Sequence, residues 1–389
     1  DPSGNKIIYA GTPAAVDPRI TWQDIATLDF GFDARFFNGE LGVTFDWYQR
    51  DTKNMIVPGE GVTWTFGAGS PKGNFGSLRT RGWELSIDYN HRFENGLGVN
   101  AMVSLSDAQT EITAYGDTKS IDSWYIGKKY GEIWGYRTDR LYQKDDFVYA
   151  DGKLVTVWAL NGKEVPANTP GAKEMNKLKD PNGVYQDYFQ TGTIKFGPGD
   201  VKYKDVNGDG VVNDGDKVAI GATTRPNMIY GFGISASWKG LDVNVHFQGA
   251  GKTSFFIDGP TVYAFSSGEW GNILADVAGS NRWIEHEISG TMATENPNAS
   301  YPRLSYGGNN NNYRQSTYWL RNGSYLRLKT LELGYSIPKP LVNKIRFNNI
   351  RLFLRGSNLL TFSSFKLWDP ELGSSTGTEY PLAKSFVNL

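Results

Sequence analysis

Apolar and polar residues alternate over long stretches of this 389-residue chain. From Leu41 the odd positions carry Leu41, Val43, Phe45 and Trp47, and the even ones carry Gly42, Thr44, Asp46 and Tyr48. The pattern returns in Trp83, Leu85, Ile87 and Tyr89, in Leu97 to Leu105, in Leu241, Val243, Val245 and Phe247, in Leu331, Leu333, Tyr335 and Ile337, and in Ile350, Leu352 and Leu354. A period of two puts one set of side chains on each face of a β-strand. About nine strands are predicted, over roughly 23–37, 40–52, 78–94, 97–108, 227–238, 241–253, 322–337, 349–363 and 380–389. Pro338-Lys339-Pro340 closes the strand before it, since proline cannot donate to a ladder.

Alternation alone fits a soluble sandwich or a membrane barrel, and the connections separate the two. Asn38-Gly39, Asn95-Gly96 and Lys239-Gly240 are tight hairpin turns. Between them lie long connections near 52–77, 109–225, 254–320 and 364–379. Short and long connections in strict alternation are the habit of bacterial membrane barrels, with short turns at the periplasm and long loops outside. The stretch 109–225 then holds an even number of further crossings or none. Bacterial single-chain barrels have even strand counts, so about nine strands imply that others precede these, and the last strand would end at the periplasmic side. Trp47, Tyr48, Tyr89, Trp238 and Tyr335 lie near strand ends, where amphipathic rings settle at headgroup level. Residues 265–320 are rich in Gly, Asn and Ser, and Gly307-Gly308 followed by Asn309 to Asn312 is predicted to be a flexible loop.

Composition narrows the classes. No run reaches the roughly 18 apolar residues of a membrane helix, and a mean hydropathy of −0.44 suits strands that show lipid only one face. Forty basic and forty-one acidic residues leave no basic excess for nucleic acid, and zero cysteines remove thiolate metal sites and cysteine nucleophiles. His91, His246 and His286 are far apart, and adjacent residues of Glu285-His286-Glu287 would point to opposite faces of a strand. No catalytic pattern emerges, and an enzyme is not expected.

One segment has the spacing of a metal loop. Asp205, Asn207, Asp209, Val211 (through its carbonyl), Asn213 and Asp216 occupy positions 1, 3, 5, 7, 9 and 12 of an EF-hand-like series with Gly210 at position 6. Asp216 stands where that series has glutamate, and its shorter reach weakens bidentate closure. We expect a structural Ca2+ in an extracellular loop; the alternative is an Asp/Asn/Gly turn without metal. Trp64, Trp124, Tyr125, Trp270 and Trp283 fall in long loops and are candidate substrate-stacking aromatics; the alternative role is packing loop against loop.

An ordered series of short motifs resembles the SusC/RagA-like TonB-dependent outer-membrane transporters. It runs through Ile20-Thr21-Trp22, Phe45-Asp46-Trp47-Tyr48, Arg81-Gly82-Trp83-Glu84, Gly199-Asp200-Val201 leading into the 205–216 loop, Asn281-Arg282-Trp283, Tyr301-Pro302-Arg303-Leu304, Gly323-Ser324-Tyr325-Leu326-Arg327, Gly356-Ser357-Asn358-Leu359 and Asp369-Pro370-Glu371. The resemblance implies that residues 1–389 are the C-terminal part of an all-β, transmembrane antiparallel β-barrel of about 22 strands with a plugged lumen, its plug domain and N-terminal strands outside this chain. It implies import of an oligosaccharide or a peptide with a SusD-like surface lipoprotein, driven by a TonB-ExbB-ExbD complex, in a barrel surrounded by outer-membrane lipid. It also allows dimers of transporter–lid pairs. The last strand of such proteins ends on an aromatic residue, whereas Phe386-Val387-Asn388-Leu389 does not. The rival readings are a secreted, calcium-stabilised β-sandwich adhesin or carbohydrate-binding module, and, behind it, a glycoside hydrolase.

Overall fold

The structure, a computed structural model, describes residues 17–59, 63, 65, 67, 69–116, 121, 124–192, 194–259, 262–266, 273–279, 281–284, 298–306, 309–372 and 385–388. Nine strands form one antiparallel sheet in chain order. They are β1 Asp24–Phe36, β2 Leu41–Pro58, β3 Lys72–Arg92, β4 Gly98–Ala114, β5 Met228–Trp238, β6 Leu241–Gly251, β7 Tyr325–Ser336, β8 Arg351–Ser363 and β9 Phe386–Asn388. The first eight match the expected strands with moved ends. For the ninth, only Phe386–Asn388 of the expected 380–389 falls on described residues as strand. β4 pairs directly with β5, Asp107 opposite Met228, so the long stretch between them adds no crossing.

Register turns the alternation into rows. Phe32, Phe45, Leu85, Leu105 and Tyr230 stand side by side across five strands. The next row holds Val43, Ile87, Val103, Phe232 and Phe247. This face stays open: Phe32 is 55% exposed, Leu241 57%, Leu333 51% and Leu352 64%. No second sheet covers it among the described residues, which removes the sandwich reading. An exposed apolar sheet of this size belongs in lipid.

The opposite face is polar. Asp33, Thr44, Ser86 and Ser104 form one of its rows, with the Thr44 hydroxyl donating to Asp33 at 2.6 Å. Its charges are partly paired, Arg35 with Asp88 at 2.6 Å and Arg351 with Glu332 at 2.6 Å and with Asp242. Tyr48 also lies on this face, opposite Gly82, where its ring fills the space that a side chain would need. That corrects its expected place in the lipid-facing girdle. The other girdle residues hold: Trp47 and Trp83 are neighbours at one edge of the apolar band, and Tyr89, Trp238 and Tyr335 mark the other.

The tight turns all fall on one rim. Lys239 and Gly240 both have positive φ (49° and 89°), the left-handed pair that a twisted two-residue hairpin requires. On the same rim Pro338 leads into a short helix, Lys339–Lys344. The opposite rim carries every long connection. Hydrophobic cores sit there rather than on the sheet. Residues 115–227 pack Tyr136, Leu141, Phe189, Val201 and Tyr203 together, and the later loops pack Phe255, Ile257, Trp319 and Phe365.

The two faces make a direct prediction for the full-length protein. Ile87→Arg places a cation in the lipid-facing row and should lower folding stability in bilayers by about 2–4 kcal/mol. Ser86→Arg, one residue away on the polar face, should cost far less. Equal losses in reversible unfolding from vesicles would show that the lipid face is wrongly assigned.

Candidate functional site

The long-loop rim holds both hydrophobic cores. Phe189, fully buried, meets Tyr136 and Tyr203 edge-on with ring centroids 5.0 and 5.4 Å away. Around it, Thr156–Leu160 pairs with Lys163–Val165 and Lys173–Asn176, and Val201–Tyr203 pairs with Thr138–Leu141. Tyr263 stacks on Tyr313 at 4.3 Å in the second core, and the Trp319 indole donates to the Asn312 carbonyl at 2.6 Å.

One buried carboxylate fastens the two cores together. Asp200 has no exposed surface, yet it accepts from Arg303 Nε and an Arg303 terminal nitrogen at 2.9 Å each, from the Gly197 amide at 2.9 Å, from Asn309 at 3.0 Å and from Asn312 at 2.9 Å. Beside it Gln186 donates to Asn311 at 2.6 Å and accepts from the Tyr203 amide at 2.6 Å. Buried charge is tolerated only with this degree of satisfaction. The flexible loop expected at Gly307-Gly308 and the four asparagines is therefore corrected in part. Gly307 and Gly308 lie outside the described residues, but Asn309, Asn311 and Asn312 are 1%, 0% and 1% exposed. An amide side chain both donates and accepts, so an asparagine run suits a buried backbone-to-carboxylate junction as well as it suits a solvated loop.

A second clasp closes on β7. Arg327, 1% exposed, binds Asp369 and, at 2.8 Å, Glu371, drawing residues 364–372 to the inward face of the sheet. Neither clasp was among the residues singled out for chemistry. Their signal lay in motifs already noted for resemblance, Gly199-Asp200-Val201, Tyr301-Pro302-Arg303, Tyr325-Leu326-Arg327 and Asp369-Pro370-Glu371.

The 205–216 loop is closed by its own amides. Asp205 accepts from Gly208 and Gly210 at 2.7 and 2.8 Å, and buried Asp216 accepts from Val206, Asn207 and Asn213 at 2.7, 3.3 and 2.9 Å. Asn207 and Asp209 form the same short turns over Asp209 and Val211 at 2.9 and 2.8 Å, and Asn213 caps the turn Asp214–Asp216. The oxygens are of the hard kind that calcium takes. Among the described residues, no three His, Cys, Asp or Glu side chains converge as a metal-holding group. Fit in donor type rests on the asparagine and carbonyl oxygens as much as on the acids. Asp214, outside the ligand series, ties the loop to the core: it accepts from Tyr136 at 2.6 Å, Tyr188 at 2.8 Å and Lys217 at 3.0 Å.

The candidate stacking aromatics divide. Trp124 is 40% exposed and stacks on Tyr130 at 5.7 Å, with Lys128 over its ring at 5.8 Å. Tyr125 donates to Glu132 at 2.5 Å, and burial together with that carboxylate pushes its pKa up to about 12. Trp283 is 2% exposed, packs in the first core and donates to Gln143 at 3.1 Å, so it takes the packing role. Trp64 and Trp270 lie outside the described residues.

Comparison with known proteins bears on this arrangement of wall and loops. No protein-family model matches the chain. It is 28% identical to the TonB-dependent receptor P26 of Formosa agariphila over 93% of its own length and 32% of that protein's. It is 23% identical to the TonB-dependent receptor SusC of Bacteroides thetaiotaomicron, over 99% of its own length and 33% of that protein's. Among solved structures it aligns with that of the RagAB peptide transporter at a TM-score of 0.66 and 22% identity, covering 99% of this chain and 37% of the other. The SusC/RagA-like resemblance stands. The fold is that of the corresponding part of the RagAB peptide transporter, an outer-membrane β-barrel wall, and the relatives matched in sequence are TonB-dependent receptors. The chain spans about a third of the length of these curated relatives (32% and 33%).

Asp214 gives the rim a pH dependence. Hydrogen bonds from Tyr136 above all, then from Tyr188 and Lys217, lower its pKa from 3.8 to about 2. A depressed carboxylate stabilises the fold above its ordinary pKa and loses that contribution as pH falls through the folded value. Amide exchange in residues 205–216 should therefore accelerate as pH drops from about 4 towards about 2, beyond the intrinsic pH effect on exchange. Asp214→Asn should abolish that extra acceleration; if it persists unchanged, Asp214 is not its source.

Proposed function

We propose that this chain is the C-terminal wall and outer rim of a TonB-dependent importer that carries an oligosaccharide or a peptide across the bacterial outer membrane. The observation that carries the reading is the single sheet with an exposed apolar face, a polar face behind it, and all its long loops at one rim. That is the form of a lipid-embedded wall around a wet lumen. The likeness to SusC and to the RagAB peptide transporter supports the same reading. In it, the rim loops, with Trp124 and Tyr125 as candidate contacts, hold cargo beneath a SusD-like surface lipoprotein. The plug and the segment contacting TonB-ExbB-ExbD belong to parts of the protein beyond this chain.

Deleting the full-length gene in its host should remove growth on one class of polymer, oligosaccharide or peptide, and growth should return with the intact gene. Undiminished growth and uptake on both classes would sink the importer reading. Affinity capture of the full-length protein should bring down a surface lipoprotein.

Calcium in the 205–216 loop is part of this proposal, as a structural ion. Its support is the spacing of Asp205, Asn207, Asp209, Val211, Asn213 and Asp216, and the short Asx turns that pre-form the loop. Chelation should lower the thermal midpoint of the full-length protein and speed exchange in 205–216, and a variant with both Asp205→Ala and Asp209→Ala should no longer respond. If neither chelation nor the double substitution changes loop order, the metal reading fails.

A further inference from the structure

The polar, inward face of the sheet changes character at its long-loop end. Lower on the wall its rows read Asp46, Glu84 and Ser106, then Arg50, Thr80 and Thr110. One row further out, Leu78 stands opposite Ile112. Next, Met55 faces Gly76 across a bulge in β2, where Asn54 has a φ of 57°. The bulge adds a residue to β2, so Met55 returns to the inward parity. Val57 joins it, since a Cβ on Gly76 would meet Val57 and Met55 at 3.0 and 3.3 Å.

Beyond the start of β5, residues 127–130 pair with β4 in its place. Glu111 bridges to Lys129, and the Ile112 and Tyr130 amides donate to the Lys128 and Thr110 carbonyls at 2.9 and 2.8 Å. Lys129 thus shares the outward parity of Glu111, and Tyr130 the inward parity of Thr110. Trp124 lies on Tyr130 with the rings nearly parallel, at 6°. Met55, Val57, Leu78, Ile112, Trp124 and Tyr130 are the larger side chains lining a pocket of about 260 Å³. Tyr125 is committed elsewhere, to Glu132, which lines a separate cleft with Gln109 and Lys129.

A lining of this kind selects among cargoes. Among the described residues, it includes no carboxylate, carboxamide or cationic side chain. Sugar hydroxyls buried there would give up water for a wall with little to donate or accept. An apolar side chain gains by the same burial, and an apolar cavity of about 150 Å³ already takes a benzene ring. The margin adds charge. Arg225, exposed, lies over the Tyr130 ring at 4.9 Å, and no carboxylate among the described residues pairs with it. Glu111 belongs to the other side of the wall. A negative group beside an apolar one complements this arrangement.

We propose that this pocket is a cargo subsite for a peptide, which places a leucine- or phenylalanine-sized side chain beside Trp124 and a neighbouring carboxylate against Arg225. The proposal rests on the importer reading and decides between its two cargo classes.

The test uses the full-length protein, in detergent, together with any lipoprotein that co-purifies. A synthetic peptide mixture of one length, randomised at every position, is passed over it, and the retained peptides are sequenced by mass spectrometry. Peptides with Leu, Phe or Met next to Asp or Glu should be enriched about tenfold over the input. Trp124→Ala removes an exposed wall of the pocket, and Ala114→Phe fills it from the end of β4. Each should abolish the apolar preference, and because they sit on different elements, one misfolded variant leaves the other to decide. Arg225→Gln should keep the apolar preference and lose the acidic one, and Arg81→Gln, on the outward face, should change neither. Retention without apolar enrichment, or enrichment that survives in a folded pocket variant, would overturn the subsite. So would retention of maltooligosaccharides that Trp124→Ala abolishes, since the pocket would then be taking sugar. Growth of the deletion strain separates the two levels. Loss of growth on oligosaccharide alone refutes this inference and leaves the importer, whereas undiminished growth on both classes refutes the importer itself.

Discussion

A polypeptide in hydrocarbon has no water to satisfy its backbone, so every N–H and C=O must find a partner within the protein. This constraint governs the whole structure. It demands strands paired with their neighbours, and the ladder from β1 to β9 joins each strand to the next in chain order. It expels irregular chain to the rims, where water or loop packing can satisfy it. And because lipid attracts no side chain more strongly than a protein interior would, it leaves the sheet free to turn its large residues outward. The hydrophobic cores then form where water is, among the loops, around Phe189 and Trp319.

Those loop cores need an internal fastening, because the sheet beneath them contributes only its rim. Asp200 provides it by gathering donors from residues 197, 303, 309 and 312. A carboxylate so buried stabilises its surroundings only while all these donors are in place, and losing one partner strands a charge. The arrangement favours a single geometry of the rim over a family of them. Arg327 does the same for residues 364–372 against the inner face.

The wall was legible in the sequence because a period of two is a local signal and the choice of face follows from it residue by residue. Turns such as Asn38-Gly39 and Lys239-Gly240 announced themselves through the conformations they need. Tyr48 was misplaced because aromatic rings mark both girdles and glycine-filling contacts, and only register shows Gly82 opposite it. Asn309, Asn311 and Asn312 were misread for a related reason. Composition sees polar residues, but their burial depends on Asp200, more than 100 residues away in sequence. The lengths of β2, β3 and β4 were underestimated at the long-loop end, since the lipid-facing side turns polar there and the apolar signal stops before the hydrogen bonding does.

That overshoot has a geometric consequence. A strand of 21 residues is about 70 Å long and, tilted near 45°, rises about 50 Å, roughly twice the height of the apolar band. At β2, β3 and β4, of 18, 21 and 17 residues, the wall thus stands well clear of the leaflet. In the importer proposed above, a polymer too bulky, or too strongly repelled, to approach the bilayer surface could still reach that parapet, and a lid seated there would swing clear of the neighbouring lipid.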